Sequence, residues 1–152
     1  MSKMKIAVSA DHGGYKLKNK IKEYLQANGY EICDFGTNSA ESCDYPDYAL
    51  PVAETVAEGK CDSGIIVCTT GVGVSIVANK VPGVRCALCH DEYCAEFSRR
   101  HNNANVLAMG AKEVDEDLAL KIVSLFLKTE FEGGRHKIRV DKITAVEKKY
   151  SK

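Results

Sequence analysis

The chain has no excess of either charge: Lys+Arg and Asp+Glu both number 21 among 152 residues. It therefore lacks the basic field that a polyphosphate would need, which argues against a nucleic-acid partner. No uncharged run approaches the roughly 18 residues of a membrane helix, so no membrane partner is expected. The opening segment "MSKMKIAVSADHGG" has an apolar stretch of strand length only. It lacks the signal core of about 7–15 residues and the small-residue cleavage site of a secreted precursor, and the chain reads as cytoplasmic. Linkers, repeats and low-complexity tracts are also missing, so residues 1–152 are read as a single domain. The seven cysteines, at 33, 43, 61, 68, 86, 89 and 94, are an odd number scattered through the chain. In a reducing compartment they are expected to be thiols.

What the chain does have is alternation. The run Lys5 to Ala10 precedes a segment with Tyr15, Leu17, Ile21, Tyr24 and Leu25 at helical spacing, stopped by Gly29. "YEICDFG" reads as a second strand, and Pro46 suits the first turn of a helix that runs to about Glu58. "SGIIVC" is a short, unalternating apolar run, as expected of a strand covered on both faces. Then come a helix from about Gly73 to Lys80, a strand "VRCALC", a helix "DEYCAEFSRRH", a strand "NVLAM", a helix from Asp115 to about Lys128, and a last helix after "EGG". This order predicts βαβ units. The fold class is α/β: a Rossmann-like three-layer αβα sandwich on a five-stranded parallel sheet, plus a C-terminal helix. Ligands of such sheets bind beyond the carboxyl ends of the strands, so the loops at 10–14, 35–45, 68–73, 89–91 and 109–112 are the ones to inspect.

"CTTGVG" ends a strand and opens a helix. Gly71 and Gly73 allow backbone N–H groups to converge on a negative oxygen, although any tight βα turn also tolerates glycine. Cys68 is the last residue of that strand. Most cysteines are buried hydrophobes, but a thiol beside an anion-holding loop is placed to act as nucleophile or base. "CALCH" matches a haem-attachment pattern; as a strand, however, it would point Cys86 and Cys89 to opposite faces, and no second ligand pair has zinc spacing. Asp11 and His12 follow the first strand, where a helix cap competes with a ligand role. The segment lacks G-x-G-x-x-G, so dinucleotide binding is weak even with Asp34 downstream. In "SRRHNNAN", Arg99 and Arg100 suit a helix C-terminus, and His101 is the better candidate for moving protons. Arg135 and Arg139, four apart on one helix face, could clamp a phosphate or could be a solvated charged face.

Together, "DHGG", "CTTGVG", "ANKVPGVR", "SRRHNNANVLAMG" and "EGGRHKIRV" resemble the ribose-5-phosphate isomerase B family, within the group that also holds the galactose-6-phosphate isomerase subunits. The resemblance runs over nearly the whole chain. It implies interconversion of ribose 5-phosphate and ribulose 5-phosphate through a cis-enediolate, as in the pentose phosphate pathway, with no metal and no cofactor. It also implies a homodimer or homotetramer whose active sites are shared between subunits. On the same ground Cys68 is the base that moves a proton between C1 and C2, and Thr70, Gly71 and Gly73 form the anion loop, with Thr70 at a sugar hydroxyl. The resemblance likewise implies that His101 opens the furanose ring with Asp11 as its polar partner, that Asn102 lies beside the developing oxyanion, and that His12, Arg135 and Arg139 bind the phosphate.

Two residues depart from the family's usual pattern. Thr69 replaces a glycine, where a β-branched side chain restricts the backbone, and Lys112 replaces an arginine. Both bear on affinity and sugar preference more than on reaction type. The competing functions are the same isomerisation of galactose 6-phosphate or allose 6-phosphate, and a non-catalytic phosphate-binding module of similar fold.

Overall fold

The computed structural model describes residues 3–152. In chain order the elements are β1 (Lys5–Ala10), α1 (Tyr15–Ala27), β2 (Glu31–Asp34), α2 (Pro46–Ala57), β3 (Ser63–Cys68), α3 (Val72–Ala78), β4 (Cys86–Leu88), α4 (Glu92–Arg100), β5 (Val106–Gly110), α5 (Glu116–Lys128) and α6 (Arg135–Tyr150). The strands form one five-stranded sheet in the order β2-β1-β3-β5-β4. Every pairing is parallel. The expected α/β sandwich is thus observed, with α6 as the additional C-terminal helix. Strand order reverses between β1 and β3, so the carboxyl ends of these two strands flank the crevice where open sheets take ligands.

Strand alternation explains the unbroken apolar run of β3. Ile65 and Val67 join one core with Ile21 and Leu25 of α1, Ala95 of α4, and Ile122 and Phe126 of α5. Ile66 and Cys68 join the opposite core with Val52 and Val56 of α2 and Val74 and Ala78 of α3. Cys86 and Cys89 likewise fall on opposite cores, as a strand requires, and cannot converge on one haem or zinc. β4 starts later than "VRCALC" because the Asn105 side chain, and not a β5 carbonyl, accepts from Arg85. Its N–H donates to Asn105 Oδ1 at 2.8 Å, and its carbonyl accepts from Asn105 N–H at 2.9 Å.

Lys18 is the largest fully buried side chain. Its Nζ donates to Asp34 Oδ1 and Oδ2, the Thr37 carbonyl and Asn38 Oδ1, at 3.0, 3.1, 2.8 and 2.7 Å. An unpaired ammonium could not be kept there, so these acceptors are a condition of its burial. The consequence is local: a helix residue ties down the start of the long loop after β2. Asp34 is therefore a structural counter-ion, not the ribose ligand its spacing allowed. Burial opposes its ionisation, but the Gly36 N–H and the Lys18 and Lys22 ammonium groups outweigh burial and hold its carboxyl below the usual carboxylate range.

A group held low in this way adds stability above its unfolded pKa of about 3.9 and loses it as pH falls through the folded value. Lys18→Met, which leaves the carboxylate short of its main partner, should cost about 3 kcal/mol in urea unfolding at pH 7. The gap from wild type should narrow as pH drops below about 4. A pH-independent gap would show that packing, and not the ion pair, anchors the loop.

Candidate active site

At the carboxyl end of the sheet, Asp11 follows β1 and is buried. Its Oδ1 accepts from the N–H groups of Gly13 and Gly14 at 2.9 and 3.2 Å, folding "DHGG" into a turn ahead of α1. Helix α1 has Gly14 as its N-cap, without a side-chain cap, so Asp11 shapes the turn and does not cap the helix. His12 is half-buried, and its Nδ1 accepts from the Cys43 N–H at 3.3 Å. With Nδ1 committed as acceptor, the neutral ring carries its proton on Nε2, which can donate to an anion.

Cys68 ends β3 and is 5% exposed. The Gly71 N–H donates to its Sγ at 3.1 Å, which fixes the direction of the sulfur. Gly71 has φ +80°, and a Cβ there would lie 2.5 Å from Leu88 Cδ1, 2.8 Å from the Met109 carbonyl carbon and 3.0 Å from the Gly110 nitrogen. Only glycine fits this position. The Val72 N–H is taken by Thr70 Oγ1 at 3.3 Å. Gly73 lies under the ring of Tyr45: a Cβ there would come 2.6 Å from Tyr45 Cζ, so a larger residue would have to push that half-exposed ring off the loop. Thr69 avoids positive φ, and its Oγ1 occupies the space that a Cβ on Gly13 would need. The threonine thus joins the two loops. Lys112, also at this end, is exposed, and its N–H donates to the Thr69 carbonyl at 3.1 Å.

The remaining candidates lie at the opposite end. His101 and Asn102 follow α4, which returns antiparallel to the strands. Arg85, just before β4, donates from Nε to the carbonyls of Asn102 and Asn103 at 3.1 and 3.0 Å. Asn105 accepts on its carbonyl from Gly64 N–H at the start of β3, four residues and about 13 Å of strand from Cys68. Arg135 and Arg139, at the start of α6, are exposed beside this turn; among the described residues neither forms an ion pair. One chain therefore brings Asp11, His12, Cys68, Thr70, Gly71 and Gly73 together, and it separates them from His101, Asn102, Arg135 and Arg139.

Arg99 does more than offset a helix dipole. It donates to the Ala104 carbonyl at 2.6 Å, Asn103 Oδ1 at 3.0 Å and the Thr129 carbonyl at 3.1 Å. It thereby brackets a turn in which Asn103 has φ +47°. The His101 ring lies edge-on to Phe97, with centroids 4.8 Å apart, and flat on His136, with centroids 4.0 Å apart and planes 8° from parallel. His101, Glu132 and His136 offer ligand atoms within 4.8 Å of one another. Parallel stacked imidazoles do not direct their in-plane lone pairs to one point, so this cluster does not suit a metal ion as arranged. Burial, then His101, then Arg135 and Arg139 pull His136 below the ordinary histidine range, against Glu132, which acts the other way. Burial pushes the thiols of Cys86 and Cys89 up to about 12, which removes them as bases. Tyr45, Arg85 and His136 were not singled out from the sequence. Arg85 and His136 lie inside the quoted stretches "ANKVPGVR" and "GGRHKIR", but neither carried a role of its own.

Comparisons with known proteins agree over almost the whole chain. The sequence model of the ribose/galactose isomerase family matches residues 6–143. Ribose-5-phosphate isomerase B of Escherichia coli is 49% identical over 145 residues, 95% of this chain and 97% of that protein. The solved ribose-5-phosphate isomerase B of Clostridium thermocellum is 57% identical and superposes with a TM-score of 0.96 over 97% of this chain and 100% of its own. That of Mycoplasma genitalium, solved with bound ribulose 5-phosphate, has 43% identity and a TM-score of 0.93, covering 97% and 99% of the two chains.

Two of the seven glycines with positive φ give a stability test. Gly29 has φ +86° with nothing within 4 Å of an added Cβ, whereas Gly71 is enclosed. Gly29→Ala should cost about 1–3 kcal/mol in urea unfolding, from backbone strain alone. Gly71→Ala should cost clearly more. Equal losses would mean that close packing around Gly71 is not what holds the loop.

Proposed function

The chain belongs to the ribose/galactose isomerase family, and we propose that it is an aldose–ketose isomerase interconverting D-ribose 5-phosphate and D-ribulose 5-phosphate. The observation that carries this reading is Cys68: a thiol at the switch point of the sheet, its sulfur aimed by the Gly71 N–H. Isomerisation requires a base that takes the C2 proton of the opened aldose and returns it to C1, while the hydroxyl proton passes from O2 to O1. Cys68 serves as that base. The charge that builds on oxygen in the cis-enediolate is met by the loop from Thr70 to Gly73 and by Asn102. A base of this kind contributes about 10²–10⁴-fold and one oxyanion donor about 10²–10³-fold, so loop and thiol matter comparably. Neither role calls for a metal or a cofactor.

His101 opens the furanose ring, with Asp11 as the polar group near its reacting end. His12, Arg135 and Arg139 hold the phosphate, whose charge of about −1.5 to −2 suits two guanidinium groups and an Nε2 donor. These groups lie at both ends of one chain, so the reading requires a second copy. A two-fold pair that sets the strand-end half of one subunit against the helix-end half of the other makes two complete sites. Exposed Ile76, Ile138, Ile143 and Val146 provide apolar surface for such a pairing. A groove of about 830 Å³ between α6 and the body adds to it. The assembly is a homodimer, or a tetramer of two such pairs. No helix among the described residues is long and apolar enough to cross a membrane. All seven cysteines are unpaired, as a reducing cytoplasm would leave them.

With chelator present, the wild type should convert ribose 5-phosphate to ribulose 5-phosphate. Cys68→Ala should lose at least about 10²-fold in kcat, while Cys89→Ala keeps its activity. Near-wild-type turnover by Cys68→Ala would overturn the base assignment; a wild type active only on six-carbon phosphates would overturn the substrate. Arg139→Ala should chiefly raise KM, because the phosphate lies away from the reacting carbons. A fall in kcat alone would contradict the phosphate role.

A further inference from the structure

His136 has no part in the proposed chemistry, yet its placement is unusual. It is 6% exposed, and Val140 is the only other buried residue of α6. Its Nε2 is buried without a hydrogen-bond partner, 3.5 Å from Glu132 Oε1 and poorly aligned with it. Such an orphan atom costs about 1–3 kcal/mol, so the site is not optimised for stability alone. What the ring does have is the face of His101, stacked at 4.0 Å, with Phe97 bounding His101 from another side.

We propose that His136 is the positioning residue for His101: its imidazole lies flat on the His101 ring, holds that ring in one orientation and ties it to the helix bearing Arg135 and Arg139. The inference rests on the reading of His101 as the ring-opening residue. An imidazole that gains and gives up a proton during turnover can rotate about its side-chain bonds, and a flat neighbour restricts that rotation. The neighbour must also stay uncharged, because two imidazolium rings in contact repel each other. The surroundings of His136 favour that state. From the turn after α4 it faces His101, from α6 Arg135 and Arg139, and from the preceding loop Glu132, whose carboxylate already pairs with Arg100 at 3.4 Å. Burial and the cations outweigh the single shared carboxylate. His136 also joins the two parts of the helix-end half-site, the proton-moving ring and the phosphate-binding arginines.

The test is a double-mutant cycle on ribose 5-phosphate turnover with His101→Ala, His136→Ala and the double variant, together with His136→Gln and His136→Phe. His136→Ala should lower kcat by about 10- to 100-fold, since misplacement of a catalytic group by about 1 Å can cost 10²-fold, with KM within about twofold of wild type. His136→Gln should lose as much, because it keeps a polar group beside Glu132 but no flat ring. His136→Phe should recover most of kcat and fold at least as stably as wild type. In the double variant the His136 change should add little to His101→Ala. Full additivity, a loss confined to KM, or failure of phenylalanine to restore kcat would overturn the positioning role. If His101→Ala itself turned over ribose 5-phosphate like wild type, the reading of His101 would fail instead. The two failures are therefore distinct.

Discussion

The direction of the strands governs everything else in this molecule. In a parallel sheet each helix must run back to the starting edge, so loops that follow strands and turns that follow helices collect at opposite ends. Cys68 follows the first rule and His101 the second. Their separation is therefore a property of the topology, and no side-chain motion within one chain removes it. On the proposed reading each end of the fold carries half of a site, and a two-fold pair would complete both.

Each half-site is held by contacts that look structural in isolation. At the strand end, buried Lys18 fixes the start of the loop that carries Cys43 to His12 and Tyr45 to Gly73. Thr69 closes against Gly13, so the loops after β1 and β3 share one surface. At the helix end, Arg85 and Arg99 bracket the turn at His101 to Asn103 from two sides. Precision at the reacting groups rests on such supports, because a catalytic group displaced by about 1 Å loses much of its effect. The exposed arginines, by contrast, need no rigid mount. In the proposed role they would grip a phosphate, which tolerates more movement than a proton in transfer.

Much of this was legible in the sequence. The α/β class follows from the order of the segments, in which short, evenly apolar runs such as "SGIIVC" and "NVLAM", as expected of strands covered on both faces, alternate with helical patterns. Cys68 stood out because a strand end, two glycines and a helix start coincide there. The less legible features depend on partners distant in the chain. Lys18 reads as one more cation on a lysine-rich helix until Asp34, Thr37 and Asn38 surround it. Tyr45 reads as a loop aromatic until its ring meets Gly73. Arg99 fits a helix end equally well as a dipole partner or as a bracket, and only its acceptors decide. Thr69, read as a restriction on the anion loop, adopts ordinary backbone and packs between loops.

The division of one site between two chains is the claim on which the rest depends, and co-assembly of two inactive variants tests it. Cys68→Ala and His101→Ala each disable both sites of their own dimers. In a mixed dimer, one site receives both changes and the other receives neither. Random pairing should then restore roughly a quarter of wild-type turnover of ribose 5-phosphate. If mixed dimers form, as native mass measurement would show, and no activity returns, Cys68 and His101 act within the same chain and the account is contradicted.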